Sequence, residues 1–291
     1  MALSFQHIAP LATLLWALAL MFPPSVAQAS DKVNKVIVVA TKDSSELQDL
    51  VRGMNASGNL ILTQSMNPSS SACEEETIVV AFGEEAASML AMLCPTLSFI
   101  TLVSSYRYNA GRKKLNVEAT GYYLDQPIAK QVRHAAMNMP SIRSLGILYT
   151  DNDMHKGEIE ALAKENLRFK VQLVKVGENQ VVAQIMRDLY QSVDAVLITG
   201  NPDIWSLSDF KTYLVLGMRQ GKIMIGGYNY IYMNRGSISA VHTDFFAMGE
   251  DIASKIESGA QWDGMGFFKK SKIVTNDLLA ARYGIYIGRN K

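Results

Sequence analysis

Catalysis and metal chemistry need particular side chains at particular spacings, and this chain lacks the usual sets. It has four histidines, His7, His134, His155 and His242, and none has ligating partners at metal-site spacing. No Gly-x-Ser-x-Gly elbow presents a serine nucleophile. No Gly-Lys-Ser/Thr phosphate loop occurs, and no Gly-x-Gly-x-x-Gly follows the first strand. Asp151-Asn152-Asp153 opens like a calcium loop, but the sixth position is Lys156 where that loop needs glycine, so the stretch reads as a strand-to-helix connection. No catalytic residue, metal ligand or cofactor is therefore expected.

Two cysteines remain, Cys73 and Cys94. Cys73 lies just before an apolar strand, Thr77 to Phe82, and Cys94 just after a helical run, Glu84 to Leu93. In a strand-helix unit the helix returns antiparallel to the strand, so its end comes back to the level at which the strand began. The strand covers roughly 20 Å at about 3.3 Å per residue, and the helix roughly 15 Å at 1.5 Å per residue. The two sulfurs should then meet in a structural disulfide at the amino-terminal edge of a sheet. The alternative is that the polar loop from Asn67 to Glu76 swings away and leaves two free thiols.

The elements around these residues alternate. Val36 to Ala40, Leu60 to Thr63, Thr77 to Phe82 and Leu97 to Val103 read as buried strands; Ser45 to Met54 and Glu84 to Leu93 have helical periodicity. The pattern resumes after Gly121. Asp125 reads as a helix cap with Pro127 in the first turn and a helix to about Met139. Strands follow at Leu145 to Tyr149, Lys170 to Val176, Ala195 to Thr199 and Ile223 to Ile225. Helices fall between them at Glu158 to Asn166, Val181 to Ser192 and Asp209 to Gln220. Alternation of this kind implies parallel sheets covered by helices on both faces, here in two α/β lobes. Such sheets bind ligands beyond the carboxyl ends of their strands. Thr41, Glu84, Ser104, Asp151, Asn201 and Tyr228 each lie just past a predicted strand and are the candidate ligand residues. Tyr228, Tyr230 and Tyr232 fit either packing on a half-exposed segment of period two or a wall of a ligand cleft.

Composition limits the partners. Of 291 residues 48% are apolar and 19% charged, with 28 basic against 27 acidic side chains, a net charge of +1. There is no basic excess to hold nucleic acid. Leu11 to Phe22 is apolar except for Thr13, then come Pro23-Pro24 and the small-x-small Ala27-Gln28-Ala29. The run is too short to span a bilayer but suits a signal peptide over residues 1–29, although Met1 to Pro10 has no Lys or Arg. Export to the periplasm is expected, with cleavage after Ala29. No cysteine stands near that point to carry a lipid.

The stretch Gly226-Gly-Tyr-Asn-Tyr-Ile-Tyr-Met-Asn-Arg-Gly-Ser-Ile-Ser-Ala-Val-His-Thr-Asp-Phe-Phe-Ala-Met-Gly-Glu250, followed by a helix to Ser258, resembles the ABC-transporter substrate-binding proteins of the tryptophan/tyrosine type. Gly236 to Ala240 and Asp244-Phe245 through Gly249 occupy that family's strand and helix-start motifs. Gly121 to Pro127 resembles its inter-lobe strand, and Thr275 to Ile285 its closing helix. The resemblance spans Gly121 to the C-terminus; in the first half Gly83-Glu84-Glu85-Ala86-Ala87 fits. It implies an α/β fold of two doubly wound parallel-sheet lobes, type I periplasmic binding protein-like, joined by a three-crossing hinge. The crossings would fall near Gly121-Tyr122, after Val241-His242-Thr243, and near Lys269 to Val274. One lobe would comprise residues 30–121 plus 244–268 and the other 122–243 plus 269–291. Asp244, at the second crossing, joins the candidate ligand residues. The implied function is non-catalytic capture of a small amino-acid-like or other amphipathic solute by a monomer. The captured solute would go to an ABC permease, or its presence would be reported to a membrane sensor kinase or cyclase.

Overall fold

The computed structural model describes residues 34–74, 76–108, 119–227 and 229–288; the signal-peptide expectation and Tyr228 lie outside the described residues. In the first half, β1 (Asn34–Ala40), β2 (Leu60–Ser65), β3 (Thr77–Phe82), β4 (Ile100–Val103) and β5 (Thr120–Tyr123) join a late strand, β11 (Met265–Phe267). They form one sheet in the order β11-β5-β4-β3-β1-β2, parallel throughout. A second parallel sheet has the order β7-β6-β8-β9, from β6 (Ser144–Tyr149), β7 (Lys170–Lys175), β8 (Ala195–Ile198) and β9 (Ile223–Gly226).

Each sheet is buried on both faces, so its strands are continuous apolar runs rather than alternating ones. In β1, Val36, Val38 and Ala40 face α1 (Ser45–Asn55) and α8 (Phe245–Ser258), while Ile37 and Val39 face α2 (Glu84–Leu93). In β8, Ala195 and Leu197 join the core under α3 (Ile128–Asn138) and α4 (Lys156–Leu162). Val196 and Ile198 join the core under α5 (Val182–Ser192) and α6 (Leu207–Arg219). Two doubly wound lobes result.

The chain passes between the lobes three times. It leaves the first sheet after Tyr123 and enters α3 at Ile128; it returns between β10 (Ser239–Thr243) and α8; it crosses again between β11 and β12 (Ser271–Thr275). β10 and β12 pair antiparallel, with His242 opposite Lys272. Gln131 of α3 pairs with the Val241 backbone, donating to its carbonyl at 2.7 Å and accepting from its amide at 2.8 Å. Gln126 ties the crossings together. Its amide nitrogen donates to Thr243 Oγ1 at 2.8 Å and to the Phe268 carbonyl at 3.1 Å, and the Thr243 hydroxyl donates to the Leu124 carbonyl at 2.8 Å.

Cys73 and Cys94 form a disulfide with a Cα separation of 5.5 Å, in the normal range. Cys94 caps α2 and Cys73 ends a 3-10 turn, Ser70–Cys73, just before β3, as the strand-helix lengths require.

Two local expectations are corrected. Asp125 does not cap α3: Pro127 holds the cap position, and the buried Asp125 carboxylate accepts instead from the Ser105 amide and hydroxyl. The tyrosine segment is not extended. Tyr230–Arg235 forms helix α7, because the Asn229 side chain accepts from the Ile231 amide and nucleates a turn. Its helical spacing buries Tyr232, whose hydroxyl donates to the Trp205 carbonyl at 2.9 Å, and leaves Tyr230 half-buried.

Candidate functional site

In the first sheet the strand order reverses at β1, with β2 on one side and β3 on the other, and that switch point is where open α/β sheets leave a crevice. A cavity of about 700 Å³ lies there. The β1–α1 loop contributes Thr41, Lys42, Ser44, Ser45 and Glu46, and the β3–α2 junction Phe82, Gly83, Glu84 and Glu85. Arg107, Leu124 and Phe245 complete this side. The other lobe supplies Asn229, Tyr230, Ile231 and Asn234, from the start of α7.

Local rules put these groups in place. Ser44 caps α1 by accepting from the Leu47 amide at 3.2 Å, so the first turn of α1 opens on the cavity. Gly83 adopts φ 94°, which lets β3 turn directly into α2. Ser104 Oγ accepts from the Arg107 amide at 3.2 Å and holds the helical turn that carries Arg107. Several of the polar groups are already engaged. The Thr41 hydroxyl donates to Glu85 at 2.9 Å, and Arg107 Nε lies 3.5 Å from Glu84. Glu46 reaches across the cleft to accept from the Tyr230 amide at 3.2 Å.

Behind Tyr230 lies His242, 1% exposed, its ring edge-on to the tyrosine at a centroid distance of 4.7 Å. Neither ring nitrogen has a hydrogen bond of normal geometry. Burial pushes its pKa down to about 4, so it is neutral at neutral pH. Lys272, opposite it in the β10–β12 pair, sits 3.2 Å from Asp49 of α1 and 5.6 Å from the centre of the Tyr230 ring.

The structure brings two of the seven candidate residues, Thr41 and Glu84, to the cavity wall. Ser104 lies one layer behind, buried, supporting Arg107. Asp244 caps α8 by accepting from the Ala247 amide at 3.2 Å. Asp151 is exposed beside Lys175 and Lys156, at 2.6 and 3.4 Å; the Lys175 hydrogen bond leads in holding its carboxyl below the usual range. Asn201 is buried, donating to Asp153 at 2.8 Å and to Thr150 at 3.2 Å. None of these four lines the cavity.

The loops of the second lobe are occupied by one another. Ser105 Oγ lies 2.8 Å from His155 Nε2, and His155 Nδ1 lies 3.3 Å from Glu158. The order is serine, histidine, acid, but Ser105 is fully buried and its hydroxyl also donates to Asp125, whose carboxyl burial pushes up. With no solvent path to the hydroxyl, the cluster joins the first lobe to the second rather than presenting a nucleophile. Among the described residues no group of three His, Cys, Asp or Glu is placed to hold a metal.

Sequence reasoning missed Glu46, Glu85 and Arg107 as wall residues. Glu85 neighbours a chosen residue and Glu46 follows the α1 cap, both readable as helix-start acids. Arg107 carried no signal, because it reaches the cavity from a short turn beyond β4.

No protein-family model matches the chain, and no curated protein sequence does. Solved structures do. One is described as an ABC domain in complex with L-Trp from Streptococcus pneumonia, with TM-score 0.56 and 18% identity over 88% of this chain and 96% of that one. A conserved domain protein from Vibrio cholerae gives TM-score 0.55 and 18% identity over 88% and 96%. A ligand-free, open substrate-binding protein with adhesive properties from Clostridium difficile gives TM-score 0.65 and 13% identity over 89% and 97%. At these identities the likeness is one of fold: two parallel-sheet lobes of the type I periplasmic binding protein kind, joined by three crossings.

Proposed function

We propose that the chain is an exported solute-binding protein of the tryptophan/tyrosine type, cleaved after Ala29 and working in the periplasm. It captures a small amino-acid-like or other amphipathic molecule between its lobes and delivers it to an ABC importer, without catalysis. The observation that carries this reading is the cavity at the first lobe's switch point, closed on its far side by Asn229, Tyr230 and Asn234 of the second. One lobe runs through β5 to Leu124 and includes 244–268, and the other comprises 125–243 plus 269–288; the break expected at 121/122 moves past β5, because Tyr122 and Tyr123 pair with β4 in the first sheet. A molecule touching both stabilises their closed arrangement, which the membrane partner recognises. The L-Trp complex among the similar folds supports a small amphipathic solute with a flat apolar body.

A thermal-shift screen of the mature chain against amino acids, amines, purines and small amides tests this. A true ligand at 100 times its Kd stabilises the native state by roughly 2.7 kcal/mol. If no solute class moves the transition, the reading fails. N-terminal sequencing of periplasmic material should begin at Ser30; intact Met1 in membranes would count against export by cleavage.

A further inference from the structure

Resting on that reading of the cleft, we propose that its ligand is an organic cation, an ammonium group on a flat apolar body, rather than a carboxylate-bearing solute. Parallel-sheet clefts ordinarily capture carboxylates and phosphates with helix N-termini, whose free amides and dipole favour negative charge. Here the two first-lobe helices that open on the cavity carry their own anions in that place, Glu46 in the first turn of α1 and Glu84 and Glu85 in the first turn of α2, and the Tyr230 amide at the head of α7 is already taken by Glu46. A ligand carboxylate would meet these side chains before the amides.

The ionisable wall groups comprise three carboxylates, Glu46, Glu84 and Glu85, against two cations, Lys42 and Arg107. Arg107 is paired with Glu84 at 3.5 Å, and Lys42 is exposed. Glu46 and Glu85 accept from neutral donors, the Tyr230 amide and the Thr41 hydroxyl, so neither is neutralised by its partner. Behind the wall His242 is held neutral by burial and adds no positive charge, while Lys272 is paired with Asp49. Closing the cleft on a neutral or anionic solute would desolvate this excess without compensation; an ammonium group removes it. Tyr230, Phe82 and Phe245 supply aromatic surface, the last two in edge contact at 6.3 Å, and suit a flat body with a cationic end.

Isothermal titration calorimetry of the mature chain with three probes of one skeleton tests the charge rule: 2-phenylethylamine (cation), L-phenylalanine (zwitterion) and 3-phenylpropionate (anion). The amine should bind at least tenfold tighter than phenylalanine, and phenylpropionate should give no heat. Glu46→Gln and Glu85→Gln each keep one acceptor oxygen, enough for the Tyr230 amide or the Thr41 hydroxyl, and should each weaken the amine about tenfold while leaving Tm nearly unchanged. Tighter binding of phenylalanine or phenylpropionate, silence from all three probes, or wild-type amine affinity in both Gln variants would overturn the proposal. The thermal-shift screen separates the two failures. If some other solute stabilises the chain and Tyr230→Ala abolishes the shift, the cleft still binds solutes and only the cation rule falls; if no solute does, both fall.

Discussion

Asp244 shows how a side chain's role is set by the atoms it finds rather than by its motif. The resemblance places it at a crossing, where a ligand amine could reach it; the fold gives it the Ala247 amide at the head of α8. Asp244→Ala should therefore lower stability by about 1 kcal/mol, the usual loss of a helix cap, and change solute affinity far less than Glu85→Gln does. Unchanged stability with lost binding would restore the ligand role. Two histidines make a second prediction. His134 and His242 are buried, and burial lowers the pKa of each to about 4 from an ordinary 6.5. Between those values the unfolded chain binds protons that the folded chain refuses. Stability should be full above pH 6.5 and fall as pH drops towards 4, by at most about 1.4 kcal/mol per pH unit per group. Urea midpoints at pH 7 and pH 5 measure this, and His134→Gln should flatten the slope; a pH-independent midpoint would contradict it. Such shifts are invisible in sequence, because nothing in the order of residues shows how deeply the fold buries His134 and His242.

At the scale of elements, helix α1 lies so close to α8 that each uses a glycine at the contact. A Cβ on Gly53 would strike the Phe246 carbonyl, and one on Gly249 the Leu50 carbonyl. Glycine to alanine inside a helix normally gains up to about 1 kcal/mol from propensity. Here backbone atoms stand in the way, and overpacking costs about 1–3 kcal/mol or more. Gly249→Ala should therefore destabilise the first lobe on balance, readable as a lower Tm, and an unchanged or raised Tm would show that the helices can separate freely. The disulfide belongs to this scale too. Cys73 and Cys94 are 21 positions apart, so replacing both with alanine should remove about 3 kcal/mol in the chain-entropy model. Strand and helix order was readable because β1, β3, β6 and β8 are uninterrupted apolar runs ended by loop residues. The tyrosine segment was misread because period two and period 3.6 are nearly indistinguishable over five residues. Its cap, Asn229, was the better signal.

For the whole molecule, the strand-end rule points to the cavity after β1 and β3 in the first lobe and after β9 in the second, but not after β6 and β8. In the first lobe the loops after β1 and β3 end in Thr41 and Glu84, which face open space. In the second, the loops after β6 and β8 end in Asp151, Asp153 and Asn201. Asn201 and Asp153 satisfy each other, while Asp151 turns to Lys175. The cleft is therefore lined from that side by the β9–α7 junction, the strand end that the Tyr228 expectation marks, through Asn229 and Tyr230. What lets two such lobes move as bodies is the join between them, and Gln126 is its central residue. It is 5% exposed and reaches all three crossings: its own, Thr243 of the second and Phe268 of the third. Its carbonyl oxygen accepts from Lys130, which also donates to the Lys269 carbonyl. Gln126→Ala would strand the Phe268 carbonyl, while Lys130 keeps the Lys269 carbonyl and Thr243 keeps Leu124 as acceptors. A buried group left without its partner costs about 1–3 kcal/mol. Because the broken bonds join crossings rather than elements within a lobe, the loss should appear as wider inter-lobe motion more than as unfolding of either sheet. The expected outcome is a larger radius of gyration by small-angle scattering and weaker solute binding, with the far-ultraviolet circular dichroism of the wild type. Gln126→Glu, which retains the acceptor for Lys130 but loses the donor to Thr243 and Phe268, should shift scattering in the same direction. If both variants scatter as the wild type does, the crossings are held by their backbone geometry alone.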